Sequence, residues 1–186
     1  THTIWKKGVP IEVWYSTEKE KKKIRSGNDT DIFRANNPSM SPKWYPTALM
    51  YENTRINVGN NQTVADLFTP RAIVGLSLIL DEINKIENEN IKDIFELTFT
   101  GALSQASNLV FVIRDRKKNK NCKEPRAEVG SWVIGYWVPE EHFEINVWNC
   151  FENRFKRIQK GILEVNDLFT NRPENYFDNN VTLLNG

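Results

Sequence analysis

Two cysteines, two histidines, no Pro-Pro pair, no Gly-x-Gly and no long apolar run leave this 186-residue chain short of the residues that most enzyme chemistry uses. Cys122 and Cys150 are too few and too unevenly placed for a disulfide framework, and a reducing compartment is expected. Scattered as they are, two Cys and two His do not make a zinc site. The hydrolase elbow Gly-x-Ser-x-Gly is missing, because Gly75-Leu76-Ser77 falls within a helical pattern and lacks the second glycine. His142, the one internal histidine, stands just ahead of a helical pattern, where a capping or surface role is the plain expectation. Nothing approaches the length of a membrane span, and the first residues, THTIWKKG, carry neither a signal-peptide pattern nor an initiating Met. A soluble, cytoplasmic piece of a longer protein, with no metal and no membrane partner, is expected.

What is present is bulk and segregated charge. Apolar residues make up 39% of the chain, with ten Phe, six Trp and five Tyr, which is enough to bury a core and argues against global disorder. The net charge of +1 excludes a uniformly basic coat but conceals local clusters. Residues 81–96 hold six carboxylates against Lys85 and Lys92. Residues 114–126 hold Arg114, Arg116, Lys117, Lys118, Lys120, Lys123 and Arg126 against Asp115 and Glu124. Lys19, Lys21, Lys22, Lys23 and Arg25 form a third cluster. The basic clusters are where an anion would feel a field.

The periodicities predict an α+β protein: three main helices packed with a small, mostly antiparallel sheet. Val9–Tyr15 reads as a strand, and the charged, polar stretch of about twenty residues after it as a solvated loop or frayed helix. Pro38, Pro42 and Pro46 hold Trp44-Tyr45 in an extended, irregular segment, and Gly59-Asn60-Asn61 marks a turn. Thr69 as N-cap and Pro70 at the first helical position open a helix with Ile73, Leu76, Leu80 and Ile83 inward. A break at Asn88–Asn90 leads to a second helix, small-sided at Gly101, Ala102, Ser104, Ala106 and Ser107, which suits close packing of another element or clearance for a ligand. Leu109–Ile113 and 128–138 are strands paired as a hairpin across the basic loop. A third helix spans roughly 143–168, with Val147, Trp148, Phe151, Phe155, Ile158 and Ile162 inward. Residues 1–169 form one domain, and 170–186 a polar tail.

A basic hairpin tip can enter a DNA groove or straddle phosphates; equally, it can only keep the protein soluble. Arg154, Arg157 and Lys160 add a basic helical surface, although cations near a helix C-terminus also follow from the macrodipole. Arg71 opens the first helix as a further cation. Trp44, Tyr45, Trp132, Tyr136, Trp137 and Trp148 could stack on an extruded base, but core positions are expected for Trp148 and for at least one of Trp132 and Trp137.

Three stretches in series carry a resemblance. LFTPRAIVGLSLILDEINKI (67–86), FELTFTGALSQASNLVFVIRDRKK (95–118) and WVIGYWVPEEHFEINVWNCFENRFKRIQKG (132–161) resemble consecutive blocks of a bacterial and archaeal family of site-specific DNA methyltransferases that methylate adenine N6 or cytosine N4. The resemblance covers about residues 9–161. It implies an insert in the catalytic domain, at the place of a target-recognition domain. The parent's S-adenosylmethionine site and flipped-base pocket would lie elsewhere, since the glycine-rich turn and the two-proline-and-aromatic motif are missing here. Some relatives carry a cysteine-rich knuckle after the VWY strand, where this chain has WYSTEKEKKKIRSG and no cysteine. The resemblance thus implies a non-catalytic module with duplex DNA and its own catalytic domain as partners. Arg114, Arg116, Lys117, Lys118 and Lys120 would contact DNA from the loop, with Arg154, Arg157, Lys160 and Arg71 as further contacts. The competing expectation is an insert that docks on the methyltransferase core, through the small-sided second helix, without touching DNA.

Overall fold

The fold is that of a computed structural model, which describes residues 2–16, 21–25, 40–52, 57–114, 127–133 and 135–170, the side chains of 15, 16 and 21–25 apart. Its elements run β1 (His2–Lys6), β2 (Val9–Ser16), β3 (Lys21–Arg25), a 3-10 turn (Ala65–Leu67), α1 (Pro70–Ile83), α2 (Glu89–Ala106), β4 (Val110–Arg114), β5 (Ala127–Trp132), β6 (Glu141–Ile145) and α3 (Val147–Thr170). This is the expected α+β class: three long helices and a six-stranded sheet in the order β3-β2-β1-β6-β4-β5, with every recorded pairing antiparallel.

Local chemistry explains the helix starts. Thr69 caps α1 by accepting a bond from the Ala72 amide at 3.2 Å, and Pro70 follows at a position whose N–H has no helical partner anyway. Asn88 caps α2 through the Ile91 amide at 3.1 Å. The turn at 59–62 closes with Gln62 N–H donating to the Gly59 carbonyl at 3.1 Å.

Period-two alternation gives the sheet two faces. Ile4 stands opposite Phe143, and together with Val110 and Ala127 they form an apolar cluster in which Ile4 and Phe143 are wholly buried. Removing each such side chain from water contributes roughly 1.5–3 kcal/mol. Thr3 stands opposite Glu144 and Trp5 opposite His142, so these four occupy the other face. A second core lies among the helices, where Leu76, Ile83, Ala102, Ala106, Cys150 and Phe151 are buried together. Phe95 stacks on Phe151 and Phe155 at 6.1 and 5.3 Å. The small side of α2 is used for this packing: a Cβ on Gly101 would lie 2.9 Å from Arg154 Nε, so α3 occupies the space that glycine leaves.

Several expectations need correction. Residues 141–145 form a strand before α3 begins, and His142 is buried in it rather than capping a helix or facing solvent. Residues 2–6 and 21–25 are also strands, the latter inside the stretch expected to be loop or helix. Trp148 is 59% exposed, because the strand delays the helix and leaves this residue in the first turn of α3, at the rim of two clefts. Trp132 and Trp137 are both exposed as well. Ile162 is half exposed: α3 has 24 residues to the 18 of α2, and beyond Phe155, which meets the second turn of α2, it outruns its partner. In α1, Val74 is buried, while Ile73 and Leu80 line a cleft beneath Trp44 and Tyr45.

Candidate nucleic-acid interface

Strands β4 and β5 pair from Val110↔Trp132 to Arg114↔Ala127, so residues 115–126 connect the ends of a hairpin at one edge of the sheet. Arg116, Lys117, Lys118 and Lys120, together with Cys122, lie outside the described residues, as does the tail from 171. Arg114, at the root of the hairpin, donates from Nε to Glu141 Oε2 at 2.9 Å, and Lys6 Nζ reaches Glu141 Oε1 at 3.0 Å. Two cations against one carboxylate leave this spot net positive. Burial pushes the Glu141 carboxyl up, but the bonds from Lys6 and Arg114 outweigh it and hold the group below its ordinary value.

The helical cations are differently disposed. Arg154 is partly buried and donates from Nε to the Gly101 carbonyl at 3.0 Å, so it fastens α3 to α2. Lys156 pairs with Glu152 at 2.7 Å and Lys160 with Glu164 at 3.5 Å, both exposed pairs one helical turn apart, each worth a few tenths of a kcal/mol. Arg157 is exposed and makes no ion pair among the described residues. The structure therefore brings Arg157 and Lys160 together on an open face and assigns Arg154 to packing.

Arg71 sits elsewhere, in the first turn of α1 over the second face of the sheet. Its Nε and Nη2 meet Glu144 Oε1, and Nη2 also donates to Thr3 Oγ1 at 2.8 Å. Glu144 is buried, and its other oxygen accepts from Trp5 Nε1 at 3.0 Å. Alternation in Glu141-His142-Phe143-Glu144-Ile145 was the one sequence signal for this carboxylate, and the helical pattern that follows obscured it.

All six aromatics considered for base stacking stand in solvent: Trp44, Tyr45, Trp132, Tyr136, Trp137 and Trp148. Trp137 borders an open cleft with Lys6, Phe111, Glu140 and Glu141, next to the root of the hairpin. Two groups of nucleophilic or acid–base type are unsuited to that chemistry. Burial pushes the Cys150 thiol up to about 11, so it stays protonated and inert. His142 is buried against Trp5, with ring planes 6° apart. Among the described residues, no group of three His, Cys, Asp or Glu gathers as a metal site, and no helix is long and apolar enough to cross a membrane. No family model, curated protein or solved structure matches the chain.

Proposed function

We propose that the chain is a non-catalytic DNA target-recognition domain of an S-adenosylmethionine-dependent DNA methyltransferase, with duplex DNA and the catalytic part of the same enzyme as partners. The observation that carries this reading is the hairpin register: β4 and β5 stay paired up to Arg114↔Ala127, so the strongly basic stretch 115–126 connects two paired strands at a sheet edge. A ribbon of this kind can lay cations along phosphates while aromatic or polar groups meet bases. Arg114, Arg116, Lys117, Lys118 and Lys120 are the proposed primary contacts, and Arg157 and Lys160 the secondary ones; Arg154 supports them from the helix seam. Replacing Lys117, Lys118 and Lys120 together by Ala is expected to weaken duplex binding and flatten its salt dependence by up to about three phosphate contacts. Unchanged affinity and slope would remove the hairpin from the interface.

Docking on the methyltransferase core without DNA contact is the competing reading. The face of α2 at Gly101 is already filled by Arg154, so docking would use another surface, such as the end of α3, where Leu163, Val165 and Leu168 are exposed. Charge reversal within 114–126 separates the two: loss of DNA binding supports recognition, and loss of association with the catalytic part supports docking.

A further inference from the structure

Between the first turns of α1 and α3 lies a cleft of about 240 Å³, lined by Arg71, Gly75, Glu144, Asn146, Val147 and Trp148. Resting on the DNA reading above, we propose that this cleft takes an extruded guanine and reads its edge, with Arg71 as the reading group and Trp148 as the stacking wall. Glu144 is the positioning residue.

The case begins with the guanidinium. Nε and Nη2 are both engaged by Glu144 and Thr3, and those partners are themselves buried and tied into the sheet by Trp5. Nη1 makes no bond among the described residues, which leaves its two N–H groups for a ligand. The side chain is pinned along one edge and still 34% exposed, so Nη1 is held in place before any ligand arrives. The nature of the ligand follows from charge. Glu144 cancels the guanidinium within the cleft, so a free anion gains little there, whereas a neutral group with acceptors gains directional bonds.

The rest of the lining points the same way. Asn146 Oδ1 accepts from the Asn149 amide at 3.1 Å, which turns the donor end of that side chain outward. Trp148 presents much of its ring to solvent and leans on Phe151 with ring centroids 6.0 Å apart, so its face is steady as well as open. Donors beside a flat apolar wall suit a planar ring with adjacent acceptors. Among the bases, guanine offers N7 and O6 together.

The test uses the chain with a randomised duplex pool, followed by affinity measurements on the selected sequence. Wild type is expected to enrich guanine at one position, and placing 7-deazaguanine there should weaken binding about ten-fold by removing the N7 acceptor. Arg71→Lys, which keeps a charge for Glu144 but loses Nη1, and Trp148→Ala, at an exposed site, should each bind duplex with an unchanged salt slope and lose the guanine preference. Should Arg71→Lys fail to fold, Trp148→Ala decides alone. Selection of the same sequence by the variants, or indifference of wild type to 7-deazaguanine, overturns the proposal and leaves DNA binding standing. A uniform loss with a slope reduced by about one marks Arg71 as a phosphate contact and overturns it too. If wild type binds no duplex at all, the underlying reading falls and this inference with it.

Discussion

At the scale of single residues, the centre of the sheet is organised around one buried carboxylate. Glu144 satisfies Arg71 with one oxygen and Trp5 with the other, and Thr3 receives the remaining donor of Arg71 Nη2. Taking one member out of such a set is costly because its partners keep their desolvation and lose their bonds. Glu144→Ala is therefore expected to lower unfolding free energy by about 3 kcal/mol, the low end for broken buried pairs because Arg71 retains some contact with water. Urea denaturation measures this directly, and a loss below about 0.5 kcal/mol would mean that water replaces the carboxylate without difficulty. Glu144→Gln keeps the shape and an acceptor, so it should fall between wild type and Ala.

At the scale of elements, Gly130 in β5 controls how the hairpin closes. A Cβ there would lie 2.7 Å from the Phe111 ring and 2.7 Å from the Phe111 carbonyl oxygen, next to a register shift between Val110 and Val112. A ring can swing aside, but a backbone oxygen within a ladder cannot without loosening the pairing. Gly130→Ala is expected to destabilise by about 2 kcal/mol and to speed amide exchange in β4 and β5 ahead of the helices. Equal protection in both strands and helices would contradict this. The elements legible in the sequence were those whose signals are local: Thr69-Pro70 and Asn88 at the helix starts, the 59–61 turn, the hairpin, the small side of α2 and the inward Phe151 of α3. Of the three strands that were missed, β1 and β6 pair with each other from far apart in the sequence, whereas β3 pairs with its neighbour β2 and is hidden by its composition. β3 reads KKKIR, which looks like solvent, yet lysine suits an edge strand because it discourages further pairing. β6 puts His142 and Glu144 in a central strand, and nothing short of Arg71 and Trp5, more than seventy and a hundred and thirty residues away, makes that placement tolerable. The candidate site was legible to the same degree: the pairing of β4 with β5 was local, whereas the setting of Arg71 was not.

At the scale of the whole molecule, ionisable groups in the middle of the sheet tie stability to pH. Burial lowers the pKa of His142 from its ordinary 6.5, and the hydrogen bond to the Pro139 carbonyl only partly offsets that. The native state therefore resists a proton that the unfolded chain accepts, and stability declines as pH drops below about 6.5. Glu141 acts lower on the scale: its carboxyl is held below the ordinary 4.5, so the stability it contributes is complete above that value and disappears as pH falls through the depressed one. The two groups are neighbours in β6 but face opposite sides, so their windows should be separable by substitution. Chemical denaturation from pH 7.5 to 3 should show wild type losing stability in both windows. His142→Gln should flatten the upper window and leave the lower one, while Glu141→Gln should do the reverse. Because Lys6 and Arg114 are what depress Glu141, raising the salt concentration should shrink the lower step, as these groups are partly open to water. The upper step arises from desolvation, which ions do not screen, and should persist. A salt response in both steps, or in neither, would show that burial and ion pairing are not divided between these two residues as the sheet implies.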